Sequence, residues 1–344
     1  MGFWVAVFFR RKTLAFNLFQ RPIHSYCMNL LQKLLYNLPL PISGLMLAIA
    51  SLGILFPQFF QVFSRPEAGF VLHVLCGVFA AVLWILLVLK AVFFFPQIKA
   101  AGKNPVLASV AGTFPMTIMA LAVYVFELFG EGAVLFWYAG VILHVALIGY
   151  FSLRFLKHPR LSEFYPSWLV VYVGIVLAAI TAPYFNQIAV GQLCFWFGAA
   201  ALVPLLPALL VRCTQMPLAD SVKPLFCIFA APISILLAGY VQSFSADTAL
   251  VFTLLAAETV ILVLVLQKLP GLLRLPFCPG YSAFTFPFVV TATAYLLGIE
   301  TLVEAGVLGT GWYAVSAAVL LLAAVLVVYV SLRYVQALRK MVFS

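Results

Sequence analysis

The sequence is poor in charged residues. Of its 344 residues, 8% are charged and 66% are hydrophobic, whereas a soluble domain has about 25% charged and about 45–50% apolar residues. This shortage excludes a soluble globular protein, and it also excludes a nucleic-acid-binding domain, which needs a dense basic surface. A helix of about 20 apolar residues crosses a bilayer. The composition therefore predicts an integral membrane protein whose surroundings are the lipid bilayer, with no nucleic-acid partner.

The motifs of enzymes and metal sites are also missing. The six cysteines are scattered without a CxxC pair, so they predict neither disulfides nor a metal site. His73 and His144 lie in apolar runs without a partner three or four residues away, and we expect both to form hydrogen bonds between helices. The sequence contains no GxSxG, HExxH, GxGxxG or GKS/T segment. It therefore predicts no enzyme, no catalytic residue and no bound cofactor.

Long apolar runs dominate the sequence instead. Ten runs are long enough to cross a bilayer, and the connections between them are too short for a soluble domain. They lie near residues 42–63, 69–94, 106–126, 132–155, 164–183, 189–211, 224–244, 248–267, 281–299 and 311–332. These runs predict an all-α membrane domain over residues 37–340. Residues 1–36 are basic and aromatic and are predicted to form a cytoplasmic or interfacial extension, with Met28 as an alternative start.

Basic residues are confined to one side of the predicted topology. With the N-terminus in the cytoplasm, 18 of the 19 Lys and Arg residues face the cytoplasm, and Arg65 alone lies outside. Six of the nine acidic residues lie on the opposite side, namely Glu67, Glu127, Glu131, Asp247, Glu300 and Glu304. Cytoplasmic loops carry the excess of Lys and Arg in membrane proteins. The sequence thus predicts a multi-pass protein of the cell inner (plasma) membrane with both termini in the cytoplasm.

A proline recurs in each odd-numbered run. The five prolines are Pro41, Pro115, Pro166, Pro232 and Pro287, at intervals of 51 to 74 residues. Each interval accommodates two crossings, so the repeats start on the same side and predict five parallel helical hairpins. The prolines are candidate kinks of helices that face one axis. Pro41 and Pro166 lie close enough to helix starts to be ordinary first-turn prolines instead.

Five segments around these prolines form a recognisable series. They are LPLPISGLMLAIASLG at 38–53, NPVLASVAGTFPMTIMAL at 104–121, FYPSWLVVYVGIVLAAIT at 164–181, FAAPISILLAGYV at 229–241 and GYSAFTFPFVVTATAY at 280–295. In order and spacing they resemble the tellurite-resistance/C4-dicarboxylate transporter (TDT) family, whose plant relatives are the slow anion channels. The resemblance covers residues 37–340.

The resemblance implies a fold and a function. The fold has ten transmembrane helices as five hairpins around a quasi-fivefold central pore lined by the odd-numbered helices, commonly in a homotrimer with one pore per protomer. The implied substrates are small anions. A phenylalanine of the ninth helix blocks the pore in this family, and the matching residue of the AFTFP segment is Phe286, with Phe284 as the neighbour most easily confused with it. Pro287 follows where some bacterial relatives have glycine, which departs from the family pattern.

Three hydroxyl residues that follow the prolines are candidates for lining the path. Ser43, Thr117 and Ser234 each lie two residues after a proline and offer O–H donors to a dehydrated anion. The alternative is a hydrogen bond to a carbonyl one turn earlier, which is common for Ser and Thr in membrane helices. The odd-numbered runs contain no Lys or Arg. We therefore expect broad anion selectivity, with basic residues at the cytoplasmic rim concentrating anions at the mouth.

One acidic residue, Glu258, lies in the middle of an apolar run. An ionised group there costs several kcal/mol unless it is paired or hydrated, so Glu258 is either a proton site or a structural, hydrogen-bonded glutamate. The leading hypothesis is passive or weakly gated transport of small anions through a pore gated by Phe286. The alternative is a proton-coupled carrier or exporter of C4-dicarboxylates or tellurite, in which Glu258 is the proton site.

Overall fold

The computed structural model describes residues 29–157 and 159–343, and in these ranges every regular element is a helix. Residues 1–28 of the predicted extension lie outside the described residues. We number the α-helices in chain order as α1 Leu30–Asn37, α2 Ile42–Val62, α3 Pro66–Phe93, α4 Phe95–Ala101, α5 Pro105–Val110, α6 Thr113–Phe129, α7 Ala133–Phe151, α8 Trp168–Tyr172, α9 Leu177–Thr181, α10 Ile188–Gln215, α11 Ala231–Ser243, α12 Thr248–Leu273, α13 Phe286–Glu304 and α14 Tyr313–Phe343.

The described residues contain nine segments that are long and apolar enough to cross a membrane. One of them, Pro105–Leu156, has 52 residues and would extend about 78 Å as a single helix at 1.5 Å per residue, far beyond a bilayer core of about 30 Å. Gly130, with a φ of 62°, separates α6 from α7, and these two helices pack against each other. The described residues contain nine to eleven apolar helices, depending on whether a broken segment is counted as one helix or as two. The prediction of an all-α integral membrane protein is therefore confirmed.

We use the word span for each helical segment that corresponds to one of the ten predicted crossings, and we number the spans along the chain. The odd-numbered spans are α2, α5 with α6, α8 with α9, α11 with its preceding 3-10 helix, and α13 with its preceding 3-10 helix. The even-numbered spans are α3, α7, α10, α12 and α14.

Burial separates odd-numbered from even-numbered spans. The most apolar stretch is 83% buried in the fifth span, 72% in the seventh and 78% in the ninth. It is 22% buried in the second span, 33% in the sixth, 28% in the eighth and 39% in the tenth. The first span is intermediate at 44%. The fifth, seventh and ninth spans therefore occupy the interior, whereas the second, sixth, eighth and tenth expose apolar side chains on the outside, where lipid is the natural contact.

The recurrent prolines lie at the starts of α-helices. Pro41 is the residue before α2, Pro115 is the third residue of α6, Pro166 precedes α8 by two residues, and Pro232 and Pro287 are each the second residue of their helix. Pro232 and Pro287 follow the 3-10 helices Lys223–Ala230 and Pro279–Phe284. Pro115, Pro232 and Pro287 are therefore interior to their spans and yet in the first turn of an α-helix, where a missing N–H costs no helical hydrogen bond. Pro41 and Pro166 precede the α-helices of their spans.

Two histidines of even-numbered spans bond to the backbone of odd-numbered spans. Pro57 lies inside α2 and has no N–H to donate to the carbonyl four residues earlier. That carbonyl, Gly53 O, receives a hydrogen bond from His73 Nδ1 of α3 at 2.9 Å. His144 Nε2 of α7 lies 2.9 Å from Val171 O near the end of α8. The prediction that both histidines form hydrogen bonds between helices is confirmed.

The short helix α1 is held against the second span. Lys90 Nζ donates to the carbonyls of Leu35 and Tyr36 at 2.9 and 2.8 Å and to Gln97 Oε1 at 2.7 Å. These carbonyls end α1 and have no later helical N–H to bind, so a lysine satisfies them well. Leu35 is buried. Lys90 thus serves as an anchor for α1.

Candidate functional site

Two cavities adjoin one another inside the described part of the chain. The first cavity is lined near the starts of all five odd-numbered spans, by residues that include Gly44, Thr113, Val173, Pro232, Ser282 and Phe286. The second cavity is lined further along four of those spans, by residues that include Ser51, Gln58, Tyr184, Gln242, Thr293 and Phe286. Among these linings Phe286 is the one residue in common.

The cavities have the size of a small ion. Their volumes are about 50 Å³ for the first and 30 Å³ for the second, and about 10–15 Å³ is enough to hold one water molecule. Each cavity therefore has room for a few waters, or for a small ion that has lost most of its hydration shell.

The local backbone places Phe286 at this point. Phe286 begins α13 directly after Thr285, whose φ and ψ of −113° and −81° are not helical. Thr285 Oγ1 donates to Ser282 O at 2.6 Å and to Gly44 O at 3.3 Å. Pro287 follows and starts the α-helix without needing an N–H partner. Phe286 thus lies at the change from 3-10 helix to α-helix, lines both cavities and is only 7% exposed.

Glycines bring the odd-numbered spans close together around the first cavity. A Cβ atom at Gly44 would lie 3.1 Å from Ser282 Cβ, and one at Gly174 would lie 2.7 Å from Met116 Sδ. A larger residue at either position would push the spans apart or narrow the cavity.

Phe284 has a different environment. It is fully buried in the 3-10 helix before α13, and its ring packs edge-on against Tyr281 with centroids 5.0 Å apart. Within the described residues it lines neither cavity. The two phenylalanines of the AFTFP segment thus differ in their surroundings: Phe286 lines both cavities, and Phe284 is packed within the protein.

The three candidate hydroxyls all form protein hydrogen bonds. Ser43 Oγ accepts from Thr113 Oγ1 at 2.7 Å. Thr117 Oγ1 donates to Thr113 O at 2.8 Å, and Ser234 Oγ donates to Ala230 O at 2.9 Å. Of the described hydroxyls near the prolines, Thr113 and Ser282 line the first cavity.

Sequence reasoning missed the polar residues of the second cavity. Gln58, Tyr184 and Gln242 lie near the ends of the first, fifth and seventh spans. The sequence does contain a weak indication of Gln58 and Gln242, because burying an amide side chain in an apolar run is costly unless the amide has a partner or water. Only packing of these spans shows that the three side chains line one cavity.

Glu258 lies at a junction of three helices. It is fully buried on α12, and Thr291 Oγ1 of α13 lies 3.3 Å from Glu258 Oε1. Thr291 Oγ1 is also 2.9 Å from Ser234 Oγ of α11. Glu258 Oε2 has no hydrogen-bond partner among the described residues. The carboxyl group therefore joins the eighth span to the seventh and ninth, and neither cavity lining in the described chain includes it.

Arginine and cysteine side chains lie near the starts of odd-numbered spans. The guanidinium carbons of Arg212 and Arg333 lie 5.7 and 5.8 Å from the ring centres of Tyr165 and Tyr281, within the range of cation–π attraction. Cys278 Sγ donates to Ser221 O at 3.3 Å. Burial is the largest effect on the Cys278 thiol and raises its pKa, although nearby backbone N–H groups oppose the shift. A raised pKa disfavours the reactive thiolate.

The chain matches the family described as voltage-dependent anion channel over residues 37–333. No curated protein matches the sequence. The family match covers most of the chain, so the protein belongs to this family, and the resemblance found in the sequence is confirmed. Members of the family move anions across membranes as channels or transporters, which places this chain among integral membrane proteins of anion transport.

Proposed function

We propose that this protein conducts small anions passively along a pore that contains both cavities, with Phe286 as the gate. In this proposal the ten spans form five parallel hairpins around a quasi-fivefold axis, and the odd-numbered spans line the pore. The transport domain covers residues 37–340 and follows the extension at residues 1–36. The family resemblance further suggests a homotrimer with one pore in each protomer.

The observation that carries this proposal is the position of Phe286. Phe286 is the residue common to the linings of the two cavities in the described chain, and the first cavity is lined by all five odd-numbered spans. An aromatic ring across a narrow apolar passage excludes both water and ions, because neither finds polar partners beside it. Displacing the ring would join the two volumes into one path.

The linings favour weak and broad anion recognition. No Lys, Arg, Asp or Glu is found among the lining residues of the two cavities in the described chain. Thr113 lines the first cavity, but its single hydroxyl proton is donated to Ser43 Oγ or to Val110 O, so this hydroxyl offers an anion little. In this proposal the pore helices are held in place by the hydrogen bonds of Ser43, Thr117 and Ser234.

Orientation follows from the distribution of charge. Placing 18 of the 19 basic residues in the cytoplasm puts both termini there and turns the first cavity toward the cytoplasm. Arg212 and Arg333 then lie on the side where anions enter from the cell interior. Their positive charge raises the local anion concentration at the mouth. The membrane is the cell inner (plasma) membrane.

The alternative is a proton-coupled carrier of C4-dicarboxylates or tellurite with Glu258 as the proton site. Glu258 contacts hydroxyls on the seventh and ninth spans but lies outside the two cavity linings of the described chain. A coupled site must exchange protons with the transport path. We therefore favour passive conduction and assign Glu258 a structural role.

The gate is tested by replacing Phe286 with alanine and with leucine. Phe286→Ala should increase anion conductance strongly, and Phe286→Leu should increase it less, because leucine still fills part of the passage. The measurement is chloride or nitrate current in planar bilayers, normalised to the amount of folded protein. Phe284→Ala is the matched control, and its main effect should be a loss of stability of about 3–5 kcal/mol.

Two results would contradict the gate. Equal conductance of the parent and a folded Phe286→Ala variant would show that the ring does not block the path. An increase in conductance confined to Phe284→Ala, or to the milder Phe284→Leu, would show that Phe284 rather than Phe286 blocks the path.

A further inference from the structure

The lining of the second cavity contains more polar side chains than the lining of the first. Six of its twelve lining residues carry a hydroxyl or an amide, namely Ser51, Gln58, Thr181, Tyr184, Gln242 and Thr293. The first cavity has only Thr113 and Ser282 among its seventeen lining residues. The hydrogen-bonding groups of the proposed pore are therefore concentrated on one side of Phe286.

Some of these groups are already used by the protein. Thr181 Oγ1 donates to Leu177 O at 2.9 Å and accepts from Trp137 Nε1 at 2.8 Å. Thr293 Oγ1 donates to Val289 O at 3.1 Å. These two hydroxyls have their protons directed to the backbone, so they shape the cavity but are poorly placed to donate into it.

Other donors remain for a ligand. Tyr184 accepts a hydrogen bond from Gln58 Nε2 at 3.3 Å, which leaves the phenolic proton and the second Gln58 amide proton to donate elsewhere. Ser51 Oγ is buried without a partner among the residues that the structure describes. Gln242 adds a further amide to the lining. Several uncharged donors therefore converge on one cavity.

The charges around this cavity also suit an anion. The lining in the described chain contains neither acidic nor basic residues. The acidic side chain of Glu127 is absent from this lining, and its Oε2 atom lies 3.0 Å from His73 Nε2. An anion entering the cavity thus meets N–H and O–H groups rather than fixed charge.

We propose that the second cavity is the selectivity site, and that it binds a small, weakly hydrated monovalent anion through uncharged donors of Tyr184, Gln58 and Gln242. This inference rests on the proposed function, because it assigns a substrate class to the same pore. A dicarboxylate must lose the hydration of two charged groups, whereas a monovalent anion loses that of one. Neutral donors and apolar walls compensate a monovalent anion far better than a dicarboxylate. The cavity volume of about 30 Å³ also suits a small ion.

The test uses Tyr184→Phe and Gln242→Met, each in the parent and in the Phe286→Ala background. Both substitutions remove donors while keeping most of the side-chain volume. We expect the nitrate concentration that half-saturates the current to rise about tenfold with either variant, the effect of losing one hydrogen bond to a charged ligand. Tyr172→Phe is the matched control, since its hydroxyl pairs with Ser152 Oγ at 2.9 Å away from both cavities. It should leave half-saturation unchanged.

The outcomes separate this assignment from the gate. Normal half-saturation in conducting Tyr184→Phe and Gln242→Met channels would overturn the selectivity site and leave the pore proposal standing. Succinate current as large as nitrate current would overturn the preference for monovalent anions. Absence of any anion current from the parent and from folded Phe286→Ala would overturn the proposed function, and the selectivity site with it.

Discussion

The hydrogen bond from His73 to Gly53 should stabilise the protein because of Pro57. Proline at position 57 leaves Gly53 O without its helical donor, and His73 Nδ1 supplies the replacement at 2.9 Å. The histidine ring also stacks on Tyr124 with centroids 4.2 Å apart, and its other nitrogen lies 3.0 Å from Glu127 Oε2. The perturbation is therefore His73→Phe, which keeps an aromatic ring for the stack and removes both nitrogens.

The loss of stability expected for His73→Phe has two parts. A buried carbonyl left without a donor costs about 1–3 kcal/mol. The pair with Glu127, whose side chain is 48% exposed, contributes about 0.2–1 kcal/mol. His73→Phe should therefore reduce the free energy of unfolding by roughly 1–4 kcal/mol. The measurement is equilibrium unfolding in mixed micelles, followed by circular dichroism.

A double-mutant cycle isolates the contribution of the hydrogen bond from His73 to Gly53 O. Pro57→Ala restores an N–H that can bond to Gly53 O within α2, so His73→Phe should cost about 1–3 kcal/mol less in that background. Glu127→Gln is the control, because it leaves the bond to Gly53 O intact and should combine additively with Pro57→Ala within about 0.5 kcal/mol. Additive effects of His73→Phe and Pro57→Ala would refute the reasoning.

Two further predictions concern Glu258 and the topology. Glu258→Gln keeps the size of the side chain and its acceptor for Thr291, so anion flux should be nearly unchanged; loss of proton-gradient-driven uptake in a folded variant would favour the carrier. A reporter that is active only in the periplasm, fused after Ser344, should be inactive because the C-terminus is cytoplasmic; clear activity would exclude the proposed topology.

The membrane class of this protein could be read from the sequence because hydrophobicity is local. A bilayer requires each crossing to be apolar over about 20 residues and to satisfy its own backbone as a helix, so the ten runs could be found without knowing their neighbours. The family could be recognised for a similar reason, since the proline-containing segments keep their order and spacing along the chain. The matching Phe286 came from that resemblance rather than from composition.

Tertiary packing decided what each polar residue does. Three hydroxyl residues follow prolines at equal spacing, but their partners differ. Thr117 and Ser234 donate to carbonyls one turn earlier, whereas Ser43 pairs with Thr113, which lies 70 positions away. Gln58 and Tyr184 are 126 positions apart and meet only because the first and fifth spans pack together. The start of α13 at Phe286 likewise depends on Thr285 bonding across to Gly44 O. Sequence alone therefore determined that the chain crosses a membrane, whereas the geometry of the two cavities arises from contacts between spans that no local pattern encodes.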